Sequence, residues 1–224
     1  MGGKGSSSSS VIVGYNYFAS FAGVAGFGPA HALVELIVDG KSAWKPETPV
    51  LQSASANPYV FDVAGKGRVH FYWGLDDQEI NDPVLTVPAR DMPNMRGAVV
   101  AVFEDFLCGF ERLSAPDIAV VYTRGPQQSE ITGTAAALDD GQANPAAMLV
   151  ELLRDPWTGV NMPTLRIDTT TWQALADALE TGKATEYLSP LLTDQMSPLD
   201  FISELAGYAD TWFRLADDGA IEAG

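Results

Sequence analysis

Hydrophobic periodicity changes once along this 224-residue chain, and that change restricts the fold more than any motif does. Over roughly the first 125 residues, apolar side chains come in short runs broken by Gly and Pro. Such spacing suits strands, whose side chains point alternately to two faces. Leu33 to Val38, bounded by Pro29 and the Asp39-Gly40 turn, predicts a strand, and Ser42 to Lys45 returns from it as a hairpin. Tyr59 to Val63 and Arg68 to Trp73 flank Gly65-Lys66-Gly67 and predict a second hairpin. Gly97 to Phe106 and Asp117 to Tyr122 add two further runs of strand length. Val11 to Phe18 alternates aromatic with small residues and is expected to open the sheet. Five or more short strands predict a sandwich or barrel.

From Asn144 the period lengthens to that of a helix. Asn144-Pro145 reads as an N-cap with proline in the first turn, and Asp155-Pro156 ends the helix. Thr169 to Glu180 spaces Trp172, Leu175, Ala176 and Leu179 by three and four, stopping at Gly182. Ser197-Pro198 starts a third helix, with Leu199, Ile202, Leu205 and Ala206 on one face. Thr211 to Ala216 then predicts a strand, turned by Asp217-Asp218-Gly219 into Ala220-Ile221. That short return strand is expected of the front portion of a longer gene product. The fold class expected is α+β. Residues 1–10 are expected to be a flexible arm, 11–125 a β-rich domain, 126–143 a linker between domains or a long loop within one, and 144–224 a smaller helix-rich α/β part.

Charge follows the same division. Residues 1–129 carry 13 acidic and 9 basic side chains, whereas 130–224 carry 16 and 4. A formal net charge of −16 argues against nucleic acid or an anionic membrane as the main partner, since phosphate binding needs a basic face. No apolar run approaches the ~20 residues that span a bilayer, and the Ser6–Ser10 start lacks the apolar stretch of a signal peptide. The expectation is a soluble chain made in the cytoplasm.

Motifs for chemistry are sparse. Cys108, the single cysteine, sits in an apolar Phe-Leu-Cys-Gly-Phe setting that disfavours a thiolate. His31 and His70 share no metal-ligand spacing and are expected to pack rather than to ligate or catalyse. The run from Gly23 to Gly28 follows no buried strand and opens no helix, so it does not read as a dinucleotide loop. Glu104 and Asp105 at a strand end, with Asp76, Asp77 and Glu79 in a loop, are the carboxylates that a glycan hydrolase would have to pair. Trp44, Trp73 and Trp157 are the indoles that a carbohydrate-binding module would have to expose. The chain reads as non-enzymatic, with no catalytic, cofactor-binding or metal residues and no cofactor.

The order of segments carries a resemblance. Gly14-Tyr-Asn-Tyr-Phe-Ala, then Gly28-Pro29 leading into Leu33 through Trp44, resembles the start of tail-tip (baseplate hub) proteins of long-tailed bacteriophages and gene transfer agents, of the lambda-like tail tip attachment type. So does the block running from the Gly67–Gly74 aromatic strand through Asp82-Pro-Val-Leu85 and Pro93–Gly97 to Phe106. The Asn144 helix, Ile167-Asp168 before the Trp172 helix, the Ser197 helix and the Asp-Gly hairpin complete a collinear match over roughly residues 11–222.

The resemblance implies a β-rich hub domain related to tail-tube folds, followed by an α/β part. It implies a virion structural protein at the tail tip, forming a ring (commonly a homotrimer) at the distal end of the tail tube. Its partners would be other copies of itself, the distal tail protein, further tip proteins and the tape-measure protein, with no sequence-specific nucleic acid and no membrane span. An acidic lumen would let DNA pass by repelling its phosphates. The dense aromatics Tyr15, Tyr17, Phe18, Phe21 and Phe27 would pack on a neighbouring subunit or in the chain's own core.

Overall fold

A computed structural model describes residues 14–53, 57–80, 82, 84, 93–110, 114–127, 130–133, 142–156, 159–181, 188–190 and 197–224. The chain divides into two compact units, Met1–Arg124 and Gly125–Gly224, and is mixed α+β.

Among the described residues the first unit holds eight strands in two sheets. Strands β1 (Asn16–Phe27), β7 (Ala98–Phe110), β6 (Gly67–Tyr72) and β5 (Tyr59–Val63) lie side by side in that order, all antiparallel. In the second sheet β2 (Ala32–Val38) is central. It pairs with β8 (Ile118–Thr123) along one edge, while β3 (Lys41–Trp44) and β4 (Val50–Leu51) share the other. Among the described residues neither sheet closes into a barrel. Both sheets feed one core, in which Leu33, Leu36 and Val38 meet Phe61, Val69, Phe71, Phe103 and Phe106.

Turn chemistry sets the hairpins. Asp39 and Gly40 adopt φ of 49° and 72°, the pair of left-handed values that a two-residue hairpin turn needs and that Asp-Gly tolerates. A bulge in β2 sets its inward face. Leu33 pairs with Tyr122 and Glu35 with Val121, which leaves Val34 as the extra residue. Leu33 and Leu36, three apart, therefore both point inward. Gly28 and Gly74 cross so closely that a Cβ on Gly28 would lie 2.6 Å from the Gly74 carbonyl oxygen.

Two strands differ from their sequence boundaries. β1 begins at Asn16 rather than Val11 (residues 11–13 lie outside the described set) and runs on through the Gly23 to Phe27 segment. Small residues there allow an extended strand that alternation alone does not reveal. β7 continues to Phe110, so Glu104 and Asp105 sit inside the strand, not at its end. Asp105 occupies a bulge at φ 45°, where Glu104 and Asp105 together oppose Ser20.

The second unit packs α1 (Pro145–Arg154), α2 (Thr169–Thr181), α3 (Pro198–Tyr208) and a hairpin of β9 (Phe213–Leu215) and β10 (Ile221–Ala223) around one core. Asn144 caps α1 by accepting from the Ala146 N–H at 3.0 Å, and its amide donates to the Ala176 carbonyl of α2 at 2.9 Å. Asp155, held extended before Pro156, stops α1. In α2, Trp172 and Ala176 are buried, and the Trp172 indole N–H donates to the Ile221 carbonyl at 3.0 Å.

α3 corrects one expected face. Leu199 is exposed, and Phe201 joins Ile202, Leu205 and Ala206 in the core. A residue in the first turn has no preceding turn to pack against, so periodicity over-assigns it. Ser197 precedes α3 but makes no side-chain cap hydrogen bond. Ile131, from the segment expected to be a linker, is buried in this unit's core. No helix among the described residues is long and apolar enough to cross a membrane.

Candidate functional site

Two features of the first unit go beyond what its fold needs. One is the free edge of β1. The other is a polar cluster on the outer face of the first sheet.

β1 is twelve residues long, ends its sheet and carries no charged side chain in a chain of net charge −16. Phe21 turns inward, stacking on Phe103 at 4.8 Å between ring centroids and meeting Phe106 edge-on. The other aromatics do not. Tyr15 is 61% exposed, Phe18 60% and Phe27 50%, and Tyr17 and Val24 are also exposed. β6 pairs with β7 from Val100 to Glu104 and the turn before it reaches on to Leu107, whose N–H donates to the Lys66 carbonyl, whereas β1 follows β7 out to Phe110. The last part is thus a two-stranded ribbon with Tyr15, Tyr17, Phe18 and Phe110 open to solvent. Among the described residues, the outward backbone edge of β1 has one partner, the Tyr122 hydroxyl donating to the Phe27 carbonyl. A long apolar edge strand is a template for another strand unless something covers or charges it.

The second cluster sits on the opposite face of the sheet from the main core. Tyr72, Val100 and Val102 form a small apolar layer there, covered by Ile80, Val84 and Met95 from the segment between β6 and β7. Gln78 anchors that segment. Its carbonyl oxygen accepts from the Gly74 N–H at 2.8 Å, and its amide nitrogen lies within 3.2–3.4 Å of the carbonyls of Asn94, Met95 and Ala98. Asp82, with its side chain 1% exposed, accepts from Val84 N–H, from the Tyr72 hydroxyl at 3.2 Å and from His70 Nδ1 at 2.5 Å. On the ring's other side, Nε2 stands 3.4 Å from Glu104 Oε2, within ion-pair range, yet it is buried and makes no hydrogen bond. Glu104 is also within 3.5 Å of Arg68, which pairs with Asp62 across the strands.

His70 therefore meets a buried carboxylate rather than merely packing. The missed signal lay twelve residues downstream, in an Asp whose position depends on the loop path. Burial raises the Tyr72 phenol far above its ordinary value, and the adjacent Asp82 carboxylate adds to this by its charge and by accepting the hydroxyl proton. Burial raises Tyr122 as well, with Arg124 opposing. Both phenols hold their protons more tightly folded than unfolded. The stability they contribute is complete below the unfolded value near ~10 and is lost as pH rises above it. We expect the β-rich unit to weaken progressively in that alkaline range, and Tyr72→Phe to remove part of the slope. Denaturation midpoints followed beside tyrosinate absorbance check this, and a flat profile above that pH would refute it.

The remaining sequence candidates do not converge. Glu104 is engaged by Arg68 and His70, while Asp105, Asp76, Asp77 and Glu79 are exposed. Trp73 is fully buried and Trp44 packs on Tyr59 and Phe61, so neither is a flat exposed platform. Trp157 lies outside the described residues. Cys108 is buried. His31, beside the second sheet, donates its backbone N–H to the Thr123 carbonyl. Among the described residues no group of three or more His, Cys, Asp or Glu is placed to hold a metal ion. No protein-family model matches the chain, and no curated protein is significantly similar to it.

Proposed function

We propose that this chain is a structural component of a phage tail tip or baseplate hub. It assembles as a ring, a homotrimer in the resembling family, at the distal end of the tail tube and links the tube to host-facing tip proteins. In this reading the two-sheet unit is the tail-tube-like hub domain and the helical unit is the α/β part that follows it.

The observation that carries the reading is the uncharged edge of β1. Other acidic surfaces repel a second acidic copy within a Debye length of about 8 Å at physiological salt. An edge without charge but with exposed Tyr15, Phe18 and Phe27 instead favours burial against a neighbouring protein. The collinear run of segments from Gly14 to the Asp-Gly hairpin supplies the identity of the assembly.

Light scattering on the purified chain, alone and mixed with the tail components encoded beside it, tests this reading. A ring-sized mass or a stable complex is expected, and Phe18→Lys with Val24→Lys should return it to the 23.9 kDa protomer with its circular dichroism intact. Both positions are exposed, so the charges do not enter the core. A chain that stays monomeric and ignores those components would sink the proposal.

A further inference from the structure

We propose that β9 is the second half of the contact that β1 begins, the free edge of β9 in one copy receiving the edge of β1 from the next. The inference rests on the ring reading above and goes further by naming the surface that β1 meets. Two β1 edges paired with each other would make an isologous contact, which closes on two copies. A ring of three or more needs two different surfaces on each chain. β9 supplies the other. It ends its two-stranded sheet, because the far side of β10 is taken by Ile167, which bridges to Ile221. Trp212 and Gly224 exchange backbone hydrogen bonds, and Ala216 donates to the Ala220 carbonyl. The N–H and C=O groups of the alternate residues Phe213 and Leu215 therefore point away from β10. Among the described residues no hydrogen bond reaches them.

The side chains agree with the backbone. Trp212, Phe213 and Leu215 are all exposed. Phe213 and Leu215 share a face with Ala223 and Ile221, which belong to the helical core, so that apolar face runs on past the rim of the core. No acidic side chain stands on β9, although residues 130–224 hold 16 acidic and 4 basic ones. Its one charge, Arg214, lies 5.6 Å over the Trp212 ring and pairs with Glu222 at 2.9 Å. The arginine is thus folded onto a face of the hairpin and does not guard the edge. A strand that docks there must be apolar and bring no second cation. β1 meets both conditions, with no charged residue and with exposed Tyr17 and Phe18, whose ring faces attract a guanidinium. The other edges fit less well. β5 exposes Asp62, β3 carries Lys41, β4 is two residues long, and Ala119 is the one exposed residue of β8.

The experiment mixes two variants of the full chain and weighs the products by light scattering. Phe18→Lys with Val24→Lys blocks β1 and leaves β9 intact, and Phe213→Lys with Leu215→Lys does the reverse. All four positions are exposed. Each variant alone should remain the 23.9 kDa protomer. Mixed in equal amounts, they should form a complex of twice that mass and stop there, because each pair holds one intact β1 facing one intact β9. Should Phe213→Lys disturb the fold by circular dichroism, Leu215→Pro takes its place. It removes an outward N–H that β10 does not use, and should behave as the β9 half of the mixture. A β9 variant that assembles like the unsubstituted chain, or a mixture that stays at protomer mass, would overturn the contact. So would an unsubstituted chain that is a protomer by itself yet binds the tail components encoded beside it, a result that leaves the tail-tip reading standing.

Discussion

Replacing Trp172 with alanine destabilises the helical unit by about 3–5 kcal/mol, the usual cost of emptying a buried aromatic site. The indole is 1% exposed and lies in the core built by α1, α2, α3 and β10. α1 is buried on nearly all sides, so its residues cannot move in to fill the space without breaking their own contacts. Trp172→Phe separates packing from hydrogen bonding. It keeps most of the volume and loses only the indole N–H bond to the Ile221 carbonyl, which still accepts from the Asp168 N–H at 3.1 Å. Its cost should be about 1 kcal/mol beyond the lost volume. All three helices of the described residues lie in this unit, so urea denaturation followed by helical circular dichroism reads it directly. A Trp172→Ala midpoint equal to that of the unsubstituted chain would refute the packing described for α2.

Gln78→Glu is nearly isosteric and should cost the β-rich unit about 3 kcal/mol or more at neutral pH. One glutamate oxygen can still accept from the Gly74 N–H. The other replaces a donor with a charged acceptor, placed against the carbonyls of Asn94, Met95 and Ala98. Burial and those carbonyls raise the pKa of the new carboxyl above its unfolded value. The destabilisation should therefore be smallest in acid and grow as pH rises through the folded value. Gln78→Leu removes the charge but leaves the Gly74 N–H unpaired, and should fall between the two. Equal stability of all three proteins across that range would mean that Gln78 does not anchor the segment.

Much of the fold was legible from short stretches. The β2–β3 and β5–β6 hairpins followed from Asp39-Gly40 and from Gly65 within its turn, and α1 followed from Asn144, Pro145 and Asp155-Pro156. The candidate sites were less legible. Density of aromatics near the N-terminus marked β1, but not that Phe21 alone among them turns inward on Phe103 while Tyr15, Phe18 and Phe27 face solvent. The chemistry expected of Glu104 and Asp105 dissolved once β7 proved to run past them, with one engaged by Arg68 and the other lifted out in a bulge.

What the chain determines by itself is whatever a few neighbouring residues settle through their own dihedral limits. A left-handed turn needs Asp-Gly, a helix start needs an oxygen to take its free N–H groups, and a residue before proline stays extended. What only the tertiary structure decided depends on energies shared between distant residues. The bulge at Val34 exists because Leu33 and Leu36 must both reach one core, and Phe201 takes the core place expected of Leu199, about half a turn along α3. His70 acquires its two carboxylates because β7 and the loop after β6 converge on one face of the sheet, and a local stretch of sequence holds no record of that convergence.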